Sequence, residues 1–218
     1  MPADGPIKEQ TMTVMKSVIR LLSASAFVVA TASAVGAEVA ADGLVRRIST
    51  EVIETAKADI SVQAGDISRI MALVESKVMP HVNFEVVTRS AVGPKWREAS
   101  ADQRAKLQAE FKTLLVRVYA GALSQLREQS VEVTKTLPVP GSSQVVVQTE
   151  VRGKGEPIKL DYRLDRTGDA PWKIIDVNVG GLWLVQNYRS QFGQELSKGG
   201  LDGLINTLVE RNKSAAKG

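Results

Sequence analysis

Few residues in this chain are equipped for catalysis. His81 is the only histidine, in Met79-Pro80-His81-Val82. A lone His beside a proline reads as loop packing more readily than as a general base. One His without any Cys does not supply the usual ligand set of a metal site. The absence of Cys also removes thiol chemistry and any disulfide framework. Ser142-Ser143 lies in a turn, and no G-x-S-x-G elbow exists. Gly153-Lys154-Gly155 and Gly199-Gly200 are turn glycines by context and do not form a phosphate loop. The one catalytic pairing to weigh is Asp161 with Tyr162. A conical α+β fold can hold an Asp base and a Tyr donor in an apolar cavity. Neighbours in a strand point to opposite faces, however, so only one of the two can enter it. If Tyr162 points inward, Asp161 points outward and pairs with a Lys or Arg of the next strand. No catalytic residue, metal or cofactor is therefore assigned. A small cone-fold isomerase or hydrolase acting on an apolar substrate stands as the alternative reading.

The elements that must position any site are legible from periodicity. Residues 39–59 place Leu44, Val45, Ile48, Val52 and Ile53 at helical spacing. Asp66 can cap a second helix over 67–78, which Pro80 ends. A short helix over 84–92 closes at Gly93-Pro94. Ser100 and Gln103 have capping-box spacing and open a long helix to about residue 129. Its wide stripe runs through Leu107, Phe111, Leu114, Leu115, Val118, Tyr119, Ala122, Leu123 and Leu126. Strand character follows over 131–139, 144–152, 158–165 and 172–179, with turns between. Two helices close the chain, over 182–197 and 201–211, divided by Gly199-Gly200. Helices, then a meander of about four strands, then helices predict an α+β fold with helices packed on one sheet face.

The N-terminus reads as an export signal. Lys16 and Arg20 precede an apolar run over 21–30, and Val35-Gly36-Ala37 offers small residues at a cleavage site. A retained membrane anchor is the alternative. The expected division is a signal segment over 1–37, with an upstream extension, and one mature domain over 38–218. The net charge of +4 comes without a basic run, so nucleic acid is not an expected partner. What stands out is apolar area. Pattern alone does not separate a solid core from a cavity, because both demand apolar residues.

Several motifs shift that balance. Phe84-x4-Arg89-x3-Gly93-x2-Trp96-Arg97, then Gln103-Arg104, then Phe111-x2-Leu114-Leu115-x3-Tyr119 resembles the MlaC family of toluene-tolerance auxiliary proteins. Gly155-x-Pro157-Ile158-x2-Asp161-Tyr162-Arg163-Leu164, Trp172-Lys173-Ile174-x-Asp176-Val177 and Asn187-Tyr188-Arg189-Ser190-Gln191-Phe192 are similar to later family segments. Asn83-Phe84 stands where Asp-Phe is common, and Gly180-Gly181-Leu182-Trp183 departs from the usual run. The resemblance implies a curved antiparallel sheet, related to the nuclear-transport-factor-like cone, wrapped by N-terminal and C-terminal helices. It implies a periplasmic carrier of phospholipid that maintains outer-membrane asymmetry. The implied partners are an outer-membrane lipoprotein complex and an inner-membrane ABC transporter with its substrate-binding ring. Burying two chains of about fifteen carbons gains on the order of 20 kcal/mol, at roughly 0.8 per methylene. A membrane offers a similar gain, so a carrier needs aliphatic contacts that match it.

Under that reading, alternation and the long helix's stripe place Val118, Tyr119, Val147, Leu160, Tyr162 and Val177 inside a lipid cavity. Phe111, Leu115, Leu184 and Tyr188 are expected nearby. On the last strand Val177, and not Ile174, is the inward residue. Arg89, Arg97, Arg163 and Arg189 recur in the matched motifs. They are candidates for head-group or partner contact, with ion pairing to Asp161, Asp176 or Glu85 as the structural alternative, above all for Arg163.

Overall fold

The computed structural model describes residues 32–126 and 128–214, with side chains from residue 41 onward. The predicted signal segment falls largely outside these residues. The chain divides into two compact units, 1–37 and 38–218, and the second carries the elements that follow from residue 38 of the first helix onward.

Helix α1 (Ala32–Ala58) buries Ala41, Val45, Ile48, Val52, Ile53 and Ala56 at three- and four-residue spacing. Asp59 then caps a single turn, α2 (Ile60–Gln63), and Asp66 caps α3 (Ile67–Leu73). The single helix predicted for 67–78 is in fact two forms. After Leu73 the chain widens into a π-turn (Val74–Val78) and then tightens into a 3-10 turn (Met79–His81) at Pro80. Helix α4 (Phe84–Val92) matches its predicted bounds. Asn83, where an acid is common, still caps it by accepting from the Val86 amide at 3.2 Å. A 3-10 turn (Gly93–Arg97) leads to α5 (Ala101–Ser124). The capping box forms in both directions: Ser100 Oγ accepts from the Gln103 amide, and Gln103 Oε1 accepts from the Ser100 amide. The helix ends about one turn earlier than predicted.

Five strands, not four, make one antiparallel meander in sequence order: β1 (Ser130–Pro138), β2 (Val145–Arg152), β3 (Ile158–Asp165), β4 (Lys173–Val179) and β5 (Leu182–Trp183). Gly180 and Gly181, at φ 59° and 97°, make the turn that folds β5 back on β4. Two residues are too few to show alternation, so the sequence reads them as helix. The ladder is irregular at two places, between Val133 and Lys135 on β1 and opposite Arg163-Leu164 on β4. Helix α6 (Leu184–Ser214) joins the two predicted closing helices, with a break at Gly200 (φ 63°, ψ −158°).

One face of the sheet is apolar. Val145, Val147 and Thr149 on β2 are buried and pair with Leu164, Tyr162 and Leu160 on β3. Helix α1 lies over this part, since Ser49 hydrogen-bonds the Tyr162 hydroxyl. The other packed region joins α4, α5 and α6. Phe111 contacts Tyr188 at 4.9 Å and Phe192 at 5.0 Å between ring centroids, both edge-on, and Phe84 at 5.8 Å. Asn212 fastens the end of α6 to α5 by donating to the Glu110 carbonyl (2.9 Å) and carboxylate (2.7 Å). The junction before α4 is pinned to β4. The Asn83 amide donates to the Ile174 carbonyl at 2.9 Å, Val82 bridges Ile174 in parallel, and Lys173 Nζ donates to the Pro80 carbonyl at 2.6 Å.

Candidate functional site

A cavity of about 190 Å³ lies between β4 and the helices. Its walls are Val74, Val78 and Met79 from the two non-α turns, Val82, Phe84 and Val87 around the start of α4, and Leu184 at the start of α6. Helix α5 contributes Phe111, Lys112, Leu115, Val116, Tyr119 and Leu123, and β4 contributes Ile174, Asp176 and Val177. Nearly all of this surface is aliphatic or aromatic, which is what an apolar ligand requires.

Of the ten residues expected at the cavity, Phe111, Leu115, Tyr119, Val177 and Leu184 line it. Val147, Leu160, Tyr162 and Tyr188 do not. Val147 is fully buried, and Tyr162 is held by Ser49 under α1, with burial pushing its hydroxyl up to about 12. Tyr188 belongs to the aromatic cluster behind Phe111. Val118 is a correction: it is 56 % exposed. The α5 residues that line the cavity, Leu115, Tyr119 and Leu123 among them, flank Val118 along the helix but lie on a neighbouring phase, so Val118 is turned out of the cavity. Choosing Val177 over Ile174 is a second correction, because both line the cavity. Ile174 faces Leu164, Asp176 faces Arg163 and Val177 faces Tyr162, which leaves Ile175 as an extra residue. That bulge puts Ile174 and Val177 on one face, where strict alternation separates them.

Two charged groups reach the cavity. Lys112 pairs with Glu75, linking α5 to the π-turn across the wall. Asp176 is 7 % exposed, and one of its carboxylate oxygens accepts from the Val177 (2.9 Å) and Val185 (3.0 Å) amides. It thus anchors the first turn of α6. Burial raises its pKa, against the lowering effect of those amides and of Arg163. The folded protein therefore binds this proton more tightly than the unfolded chain does. Stability contributed here is greatest below the ordinary aspartate range and falls as pH rises through the raised value. Asp176→Asn keeps an acceptor and removes the charge. It should melt at or above the parent temperature at pH 7, with the gap closing as pH falls towards about 4. Thermal melts across that range check this, and a lower melting point at pH 7 would show that the charge itself is stabilising.

The expected arginines divide. Arg89, Arg97 and Arg189 come together in a second cleft with Ser90, Gly93, Pro94 and Trp96. It shares no lining residue with the apolar cavity. Arg163 stands apart, with its guanidinium 4.4 Å from the centre of the Trp183 ring. It faces Asp176 across the strand pair and lowers its pKa, without a close ion pair among the described residues.

Sequence reasoning missed the π-turn wall, Lys112 and Ile174. The run Val74, Val78, Met79 ahead of Pro80 carries the only available sign, an apolar stripe continuing to a helix-breaking proline.

Residues 46–210 match the family model described as MlaC protein. The chain belongs to the MlaC family. Over 170 residues it is 24 % identical to the intermembrane phospholipid transport system binding protein MlaC of Haemophilus influenzae, covering 77 % of this chain and 79 % of that protein. Over 124 residues it is 26 % identical to a toluene tolerance protein of Pseudomonas putida, covering 56 % and 57 % of the two chains. The fold superposes with a TM-score of 0.76 on a phospholipid-binding protein from Ralstonia solanacearum, solved in complex with a phospholipid. That protein is 36 % identical, with 80 % of this chain and 97 % of the other covered.

Proposed function

We propose that this MlaC protein is a phospholipid carrier that holds acyl chains in the cavity between β4 and helices α4 and α5. The observation that carries the reading is an aliphatic cavity in a chain sharing its fold with a protein solved holding a phospholipid. Phe111, Leu115, Tyr119, Val177, Leu184 and Ile174 would contact the acyl chains. Pockets for drug-sized ligands run to about 300–1,000 Å³, and a two-chain lipid is no smaller. The 190 Å³ described here must therefore widen on loading. The junction pinned to β4 and the aromatic cluster resist that movement.

The finer reading is of an exported protein, cleaved after Ala37, that moves lipid between an outer-membrane lipoprotein complex and an inner-membrane ABC transporter with its binding ring. The order of charge, apolar run and small residues at the N-terminus supports export. Direction would come from the nucleotide-driven partner.

Asp176 gives the enzyme alternative a foothold, as a buried carboxylate beside an apolar cavity. Two backbone amides already occupy one of its oxygens, and the family favours carriage over catalysis. Native mass spectrometry of protein recovered gently from a periplasmic extract tests the whole reading. The expected result is a chain with the mass of residues 38–218 carrying phospholipid. Lipid-free protein, with turnover of an apolar substrate that Asp176→Asn abolishes, would replace the carrier with the enzyme.

A further inference from the structure

The second cleft is built as well as charged. Arg89 lies on α4, Arg97 ends the 3-10 turn and Arg189 lies on the second turn of α6. The cleft has a volume of about 260 Å³, and among the described residues no Asp or Glu lines it. All three arginines are exposed residues, and none has an ion pair or side-chain hydrogen bond among the described residues. Glu98, beside Arg97, is taken by Lys95 at 2.7 Å.

Gly93 serves the cleft in two ways. Its φ of 75° is one that side chains disfavour, and the Arg189 guanidinium lies 3.5 Å from where a Cβ would sit. Trp96, 4 % exposed, forms the floor. Arg104 stacks over that ring at 5.4 Å and donates to the Arg97 carbonyl at 3.4 Å, so it adds charge behind the floor.

Like charges gathered in a concavity repel one another and focus a positive field outward. The planar fork of arginine matches a carboxylate with two parallel hydrogen bonds. A membrane-binding face would instead project basic residues beside apolar ones that insert into lipid. Here the arginines surround a hollow whose only large apolar side chain is buried. We propose that the Arg89–Arg97–Arg189 cleft docks an acidic segment of a protein partner, with an Asp or Glu side chain inserted between the guanidiniums. This site stands on the cleft alone and does not depend on what fills the apolar cavity.

The test uses the 15N-labelled protein as purified, with octaglutamate as the probe and octaglutamine as the control. The Gly93 amide and the Trp96 indole N–H report on the cleft. Octaglutamate should shift both signals saturably, with an affinity that falls steeply as salt is added. The double variant Arg97→Glu/Arg189→Glu should weaken binding by about tenfold or more. Arg97→Gln/Arg189→Gln should give an intermediate loss, which covers the case of a charge reversal that fails to fold. The proposal is overturned if octaglutamate leaves both signals unmoved, or if the variants bind it as the parent does. It is overturned equally if inorganic phosphate binds as tightly as the peptide, which would mark an isolated anion site. Binding to phosphatidylglycerol vesicles that the same substitutions abolish, with no response to octaglutamate, would make the surface a membrane contact instead.

Discussion

Val177→Trp should strip the protein of lipid while leaving it as stable as delipidated parent, and Val147→Trp should do the opposite. The two valines belong to one row across the sheet, Val147 opposite Tyr162 and Tyr162 opposite Val177. They differ in what covers them. Val177 borders the cavity, so an indole there occupies volume that a ligand would take. Val147 is fully buried and lines neither cavity. Added atoms there typically cost about 1–3 kcal/mol and often more for so large a change. Lys159→Trp, on an exposed position of β3, controls for the introduction of an indole. Ligand binding raises apparent stability by mass action, so every melt is compared with lipid-free parent. Bound lipid is read by native mass spectrometry and stability by thermal unfolding. Val177→Trp that retains lipid in full would remove this cavity as the carrier site.

Phe111→Ala should cost about 3–5 kcal/mol, a large part of the roughly 5–15 kcal/mol that holds a typical domain. The ring is 1 % exposed and makes edge-on contacts with Tyr188 and Phe192. Truncation removes the centre of the cluster joining α4, α5 and α6. Tyr188 and Phe192 contact each other at 5.6 Å, so they hold part of the cluster without closing the gap. Urea denaturation with an unchanged m-value measures the loss. A loss below about 1 kcal/mol would mean that the flanking rings collapse into the space. Phe111 also borders the cavity, so surviving protein should accept bulkier apolar ligands.

Local rules carried most of the fold because they are local. The Ser100–Gln103 box, the Asp66 cap and the bounds of α4 all rest on residues within one turn of each other. What escaped was set by distant partners. A π-turn keeps nearly the apolar spacing of an α-helix, so Val74 and Val78 look alike in either form. The bulge at Ile175 lies in a strand with apolar residues on both faces, where alternation carries no information. Val118 lies at the right height on α5, between Leu115 and Tyr119, but on a phase that turns it away from the cavity, and an apolar stripe this wide does not show which part of it faces the sheet. The family motifs named all three cleft arginines, yet Arg97 and Arg189 lie far apart in sequence and only the helical layer makes them neighbours. The same motifs also named Arg163, which sits elsewhere over Trp183.

The sheet's two margins bear on how the protein behaves when concentrated. An open sheet offers unpaired amides and carbonyls at its borders, and any second chain can add there. At one border, β1 is interrupted beside Thr134, carries Lys135 and ends in Pro138. At the other, β4 is capped by two residues of β5 before the chain turns into a helix. The longer border, β1, is bent at its irregularity, and the other is only two residues long. Both borders thus carry features that disfavour intermolecular strand addition, without the sheet closing into a barrel.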